Sequence, residues 1–211
     1  MNLKNIFSLF TFSLVWYVQL FTISLKVSYE KFIQKLATLP LISMNFSIGY
    51  FILVLVQQSR PNKISKKFLD TLFMVVFSLT VFSISTQWYL NSIDPELTQG
   101  EILDTDSKEY YCGMFLYGGN LVLIIWYGLN LESYSKVSLK VIIYFIFGFF
   151  LWYTGILIGT KIVTGKFPYN FISKFSLADY IRLILTQLGI NILSIIGFRN
   201  LVKWQIKLKI Q

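Results

Sequence analysis

Residues 139–160, LKVIIYFIFGFFLWYTGILIGT, decide which solvent this chain folds in. The run carries a single charge, Lys140, next to its start. An α-helix rises about 1.5 Å per residue and bilayer hydrocarbon is about 30 Å thick, so roughly 20 such residues cross it. Backbone groups in lipid must bond within their own segment, so the run is a helix and not an open strand. Five other runs have the same character: Ile6–Leu25, Leu36–Val56, Phe68–Leu90, Tyr111–Leu131 and Tyr180–Val202. Lys140 and Arg182 lie at run ends, where long side chains reach back to the headgroups.

The composition agrees. The 211 residues are 55% hydrophobic and 18% aromatic, with mean hydropathy +0.62. Charged residues are 14%, against about 25% in a soluble domain. The expected fold is all-α: one polytopic membrane domain over residues 1–211, a six-transmembrane-helix bundle. Short links make successive helices antiparallel neighbours. The first run is too long for the apolar core of a secretory signal and no small-x-small site follows it, so it reads as a retained span. Cys112 is the single cysteine, which excludes an internal disulfide and a cysteine-based metal site.

The net charge is +9, but its placement points to topology and not to nucleic acid. With both termini on one side, that side holds 11 Lys and Arg and the other holds 8. The positive-inside rule then puts both termini in the cytosol. The third loop, with Asp94, Glu96, Glu101, Asp104, Asp106 and Glu109, faces the other compartment. The stretch PNKISKK (Pro61–Lys67) and the tail KWQIKLKIQ have two readings: attraction to anionic lipid, or topology alone.

Polar residues inside spans are where function is sought first. Ionisable groups are absent from the span centres, which argues against a proton pump or an ion-coupled transporter. Asp70 falls near the start of span three. Ser176-Leu177-Ala178-Asp179 fits a capping box before span six, with Arg182 three residues beyond Asp179. The neutral polar set includes Thr38, Ser43, Asn45 and Ser47 in span two and Asn120 in span four. Gln187 and Asn191 sit four apart in span six. They serve either as interhelical hydrogen bonds or as the lining of a lipid pocket. The pocket reading rests on Asn45, Asn120, Gln187 and Asn191. Asn45-Phe46-Ser47 matches a glycosylation sequon but lies mid-span.

Histidine is absent from the chain. That removes histidine triads, histidine metal sites and the usual general base. No GxSxG, Walker loop or CxxC occurs, and no metal or organic cofactor is expected.

The block Gly148–Ile172, GFFLWYTGILIGTKIVTGKFPYNFI, carries a resemblance. Leu151-Trp152, then Thr164-Gly165, then Phe167-Pro168-Tyr169 with Phe171 resemble the end of span five and its following loop in the androgen-induced membrane-protein family. The resemblance implies a six-span lipid-ester hydrolase acting on fatty acid esters of hydroxy fatty acids. It implies a threonine nucleophile in span two, nearest here to Thr38 or Ser43. It implies a histidine in span four ten positions before an acid. Ten before Glu132 is Val122; with Asn130 in the acid's place, the position is Asn120. Neither residue is a base. An amide has no pKa near neutrality, and loss of a general base costs about 10²–10⁴-fold.

Three functions follow as expectations. The first is a divergent, non-catalytic family member, a pseudoenzyme that binds membrane lipid or a membrane-protein partner. The second is an active hydrolase with a Thr or Ser nucleophile and an atypical base. The third is an unrelated small transporter or membrane-complex subunit. No nucleic-acid partner is expected. The resemblance implies the endoplasmic reticulum or another endomembrane in a eukaryote, and the plasma membrane in a bacterium. The loop after span five should turn at Thr164-Gly165 and fold its aromatic residues against the rim of the bundle on the non-cytosolic side.

Overall fold

The structure is a computed structural model that describes residues 6, 7, 10–15, 29–61, 63–94, 107–130, 138–169 and 171–210. Side chains are described there except at 31, 35, 107–117 and 210. No strand occurs among the described residues. After a helical stretch at 10–15 come α1 (Tyr29–Leu36), α2 (Leu39–Ser59), α3 (Lys66–Ile93) and α4 (Ser107–Leu129). Then follow α5 (Leu139–Thr164), the one-turn α6 (Phe171–Lys174) and α7 (Leu177–Ile210). Helices α2, α3, α5 and α7 are long and apolar enough to cross a bilayer; in α4 the apolar stretch within the described part is Gly118–Leu129. Residues 8, 9 and 16–25 of the first run lie outside the described residues. So do Glu96, Glu101, Asp104 and Asp106 and the side chains of Glu109 and Cys112.

Span two begins later than read, at Leu39 instead of Leu36, and the presumed loop before it contains α1. Pro40 is the reason. Its ring would collide with the carbonyl of Leu36, one turn back, so a helix ends there and a new one starts with proline in its first turn. Helix α1 packs on α5, where Gln34 Nε2 donates to Thr164 Oγ1 at 3.2 Å. Helices α3 and α7 overrun the runs 68–90 and 180–202 because apolarity marks only the lipid-buried part of a helix. At the start of α3, Ser65 Oγ accepts from the Phe68 N–H at 3.1 Å. At the end of α7, Lys209 Nζ donates to the Leu129 carbonyl at 3.2 Å, covering a free carbonyl of α4.

Helix α3 is the axis of the bundle and touches α2, α4, α5 and α7. In lipid the drive for this packing is close van der Waals contact, since lipid tails are as apolar as leucine. One core gathers Tyr50 and Phe51 of α2, Phe73 and Phe77 of α3, Tyr127 of α4 and Phe198 of α7. The Phe77 and Phe198 rings stack at 4.4 Å. Gly128 makes room for this group: a Cβ there would overlap Phe198 Cζ and lie 2.8 Å from Phe73 Cζ. The second core joins Leu39, Ile42, Leu79, Phe149, Tyr153, Tyr169 and Phe171.

The loop after α5 is therefore not a wet connection. Gly165 ends the helix at φ +75°, and its N–H donates to the Lys161 carbonyl at 2.8 Å. Pro168, Tyr169 and Phe171 are buried, while Phe167 stays half-exposed under the Lys161 ammonium at 4.6 Å. The loop folds onto the bundle at the α1–α2 break. Beyond it the capping box forms: Ser176 donates from N–H and Oγ to Asp179 Oδ2, and the Asp179 N–H donates to Ser176 Oγ. The Ser176 hydroxyl and backbone N–H hold the Asp179 carboxyl below the usual carboxylate range, aided by Arg182. With a depressed folded value, the cap's contribution is present above the unfolded carboxylate value and is lost as pH falls through the folded one. The stability difference between wild type and Asp179→Asn, read by thermal unfolding in detergent, is thus expected to shrink from pH 7 to pH 3.

Candidate functional site

Helix α2 places Ser43 and Ser47 one turn apart on its inner face. Ser43 Oγ donates to the Pro40 carbonyl at 2.9 Å and Ser47 Oγ to the Ser43 carbonyl at 3.0 Å, the usual back-bonding of serine in helices. From α4, Asn120 Nδ2 donates to Ser47 Oγ at 3.1 Å. Both are buried, Asn120 at 2% and Ser47 at 0% exposure. The other half of the amide is open: Asn120 Oδ1 has no partner among the described residues. A buried acceptor left so costs about 1–3 kcal/mol, which a bound donor recovers.

A second polar seam joins α3 to α7. Ser78 Oγ donates to Asn191 Oδ1 at 2.8 Å, Asn191 Nδ2 to the Gln187 carbonyl at 3.1 Å, and Ser85 Oγ to Gln187 Oε1. Gln187 Nε2 is buried there without a partner among the described residues; on α3, so are Ser83 Oγ and Thr86 Oγ1.

The residues read as a single pocket are thus divided. Gln187 and Asn191 come together, but on α3. Asn120 meets α2 through Ser47. Asn45 does not join either seam: it is exposed on α2, because two positions along a helix turn a side chain by about 200° from Ser47. Sequence reasoning placed Ser47 in the polar set without singling it out. Its spacing of four from Ser43 was the available signal.

Thr38 stands elsewhere. It is the N-cap of α2, extended at φ −77° and ψ 142° and half-buried. Around it, Tyr153 Oη donates to the Ala37 carbonyl at 2.9 Å and the Leu39 N–H donates to Tyr169 Oη at 2.7 Å. Nine residues of helix separate Thr38 from Ser47, about 13 Å. A base at position 120 would therefore address Ser47 and Ser43, and not Thr38.

One ionisable group is deeper than the sequence indicated. Asp70 is buried at 5% exposure. The Tyr50 and Tyr127 rings meet edge to face at 5.5 Å. Among the described residues no group of acids and cysteines has metal-site geometry.

The match of a FAR-17a/AIG1-like protein family model to residues 4–203 settles the kinship. The chain belongs to the FAR-17a/AIG1-like family. This is the androgen-induced family whose likeness Gly148–Ile172 carries, and the match extends it to nearly the full chain. No curated protein and no solved structure matches. As a FAR-17a/AIG1-like protein the chain is not unrelated to that family, which was the premise of the third function considered above. The hydroxyls of Thr38, Ser43 and Ser47 are present, and the two positions that the resemblance offers for its histidine are Val122 and Asn120.

Proposed function

We propose that this FAR-17a/AIG1-like chain is a multi-pass membrane protein that binds a lipid, or a membrane-protein partner, without hydrolysing an ester. The observation that carries this reading is Asn120. Its amide is hydrogen-bonded to Ser47 where a base would be needed, and the sequence has no histidine to replace it. A hydroxyl without a base is a weak nucleophile. The free Asn120 oxygen and the free Gln187 Nε2 are suited to the polar part of a lipid held among apolar helices.

The same reading takes the chain as one domain of six spans with both termini cytosolic, in an endomembrane such as the endoplasmic reticulum. Support comes from the antiparallel order. It puts Lys63, Lys66 and Lys67, before and in the first turn of α3, at the same end as Lys203, Lys207 and Lys209 late in α7.

The test uses purified protein with fatty acid esters of hydroxy fatty acids and a fluorophosphonate probe. No turnover and no labelling are expected. Turnover that disappears in Thr38→Ala, Ser43→Ala or Ser47→Ala would replace this reading with that of an active hydrolase.

A further inference from the structure

The outer face between α3 and α5 carries a groove that the interior polar seams do not explain. Its upper part is a cavity of about 500 Å³ walled by Phe46, Val75, Leu79, Phe149 and Trp152, with Gly148 as a gap in the α5 side. Its lower part, about 370 Å³, ends at Ser65, Lys67 and Thr71. Val75 and Phe145 line both, so the two are continuous along α3. The walls are aromatic: the Phe46 ring meets Phe149 at 5.9 Å and Trp152 at 6.1 Å, both edge-on.

We propose that this groove holds one anionic glycerophospholipid, with an acyl chain along α3 and the phosphate on the lysines at the start of that helix. Length and charge both argue for it. Lys67 to Leu79 is twelve helical residues, about 18 Å, close to half of a hydrocarbon core of about 30 Å. A chain entering at Lys67 thus ends near the midplane, as the tail of a single-leaflet lipid does. The lining is apolar except at the Lys67 end. There Arg60, Lys63, Lys66 and Lys67 are all exposed, and no acid lies between residues 57 and 69. Clustered basic residues beside a membrane attract anionic lipid. The groove opens outward, so the proposal does not depend on the interior reading of Asn120.

Native mass spectrometry of the full chain, released from detergent with equal phosphatidylglycerol and phosphatidylcholine, tests this. One phosphatidylglycerol per chain is expected, preferred by about fivefold or more. Lys66→Gln with Lys67→Gln is expected to abolish the preference while acyl binding persists. Gly148→Trp fills the groove and is expected to remove retention of both lipids. Gly148→Ala is the folding control, since a Cβ there meets nothing within 4 Å, and it should retain them. Equal retention of the two lipids by wild type would overturn the proposal. So would a preference that survives the double lysine variant, or retention unchanged in Gly148→Trp.

Discussion

Tyr169→Ala is expected to lower the stability of the detergent-solubilised protein by about 3–5 kcal/mol, the range for truncating a buried aromatic side chain. Tyr169 does two jobs. Its ring packs in the second core, 5.4 Å from Phe171, and its hydroxyl accepts the Leu39 N–H at 2.7 Å. That N–H is one of the orphan donors at the start of α2, and Thr38 makes no side-chain cap bond to that helix. Tyr169→Phe separates the two roles. It keeps the ring and leaves the N–H without its partner, for an expected loss of about 1–3 kcal/mol. Thermal unfolding of the three proteins in one detergent measures both steps. A Tyr169→Ala variant as stable as wild type would mean that the loop does not hold the α1–α2 break.

Gly128→Ala is expected to cost about 1–3 kcal/mol by overpacking, and Gly128→Leu to abolish folded yield. The added carbon has nowhere to go. Phe198 and Phe73 both occupy its place, and they are fixed by Phe77 and Tyr127. A second-site change, Phe198→Leu, should recover part of the loss in Gly128→Ala, because it removes the nearer obstacle. Folded yield by size-exclusion fluorescence reads this directly. Gly155→Ala serves as the contrast, since open space surrounds that position and no loss is expected.

Much of the fold was legible because apolar runs are long-range signals averaged over many residues. The runs at 36–56, 68–90, 139–160 and 180–202 all correspond to helices. The turn at Thr164-Gly165 and the box at Ser176 were legible for a different reason: their partners lie within a few residues. Helix α1 was missed because it is amphipathic and not apolar overall, so it leaves no apolar run, although Pro40 marked its end. The polar pairings were not readable. Whether Asn120 meets Ser47 or Asn45 depends on the rotation of α2 against α4, which two residues of register reverse and which hydrophobicity does not specify. The burial of Asp70 was hidden in the same way. Its place near the start of the run says nothing of which face of α3 it lies on, and that face is turned inward.

The α1–α2 break also has a consequence for the membrane this protein fits. Helix α2 has 21 residues, about 31 Å, and is closed at one end by the Pro40 stop and at the other by Arg60-Pro61. Helix α7, with 34 residues or about 51 Å, has length to spare. When bilayer thickness changes, α7 can slide its basic, amphipathic overhang through the interface, whereas α2 has no such reserve and must tilt or thin the lipid around it. The shortest of the long helices is therefore the gauge of hydrophobic thickness, and its length is set by the two prolines that bound it.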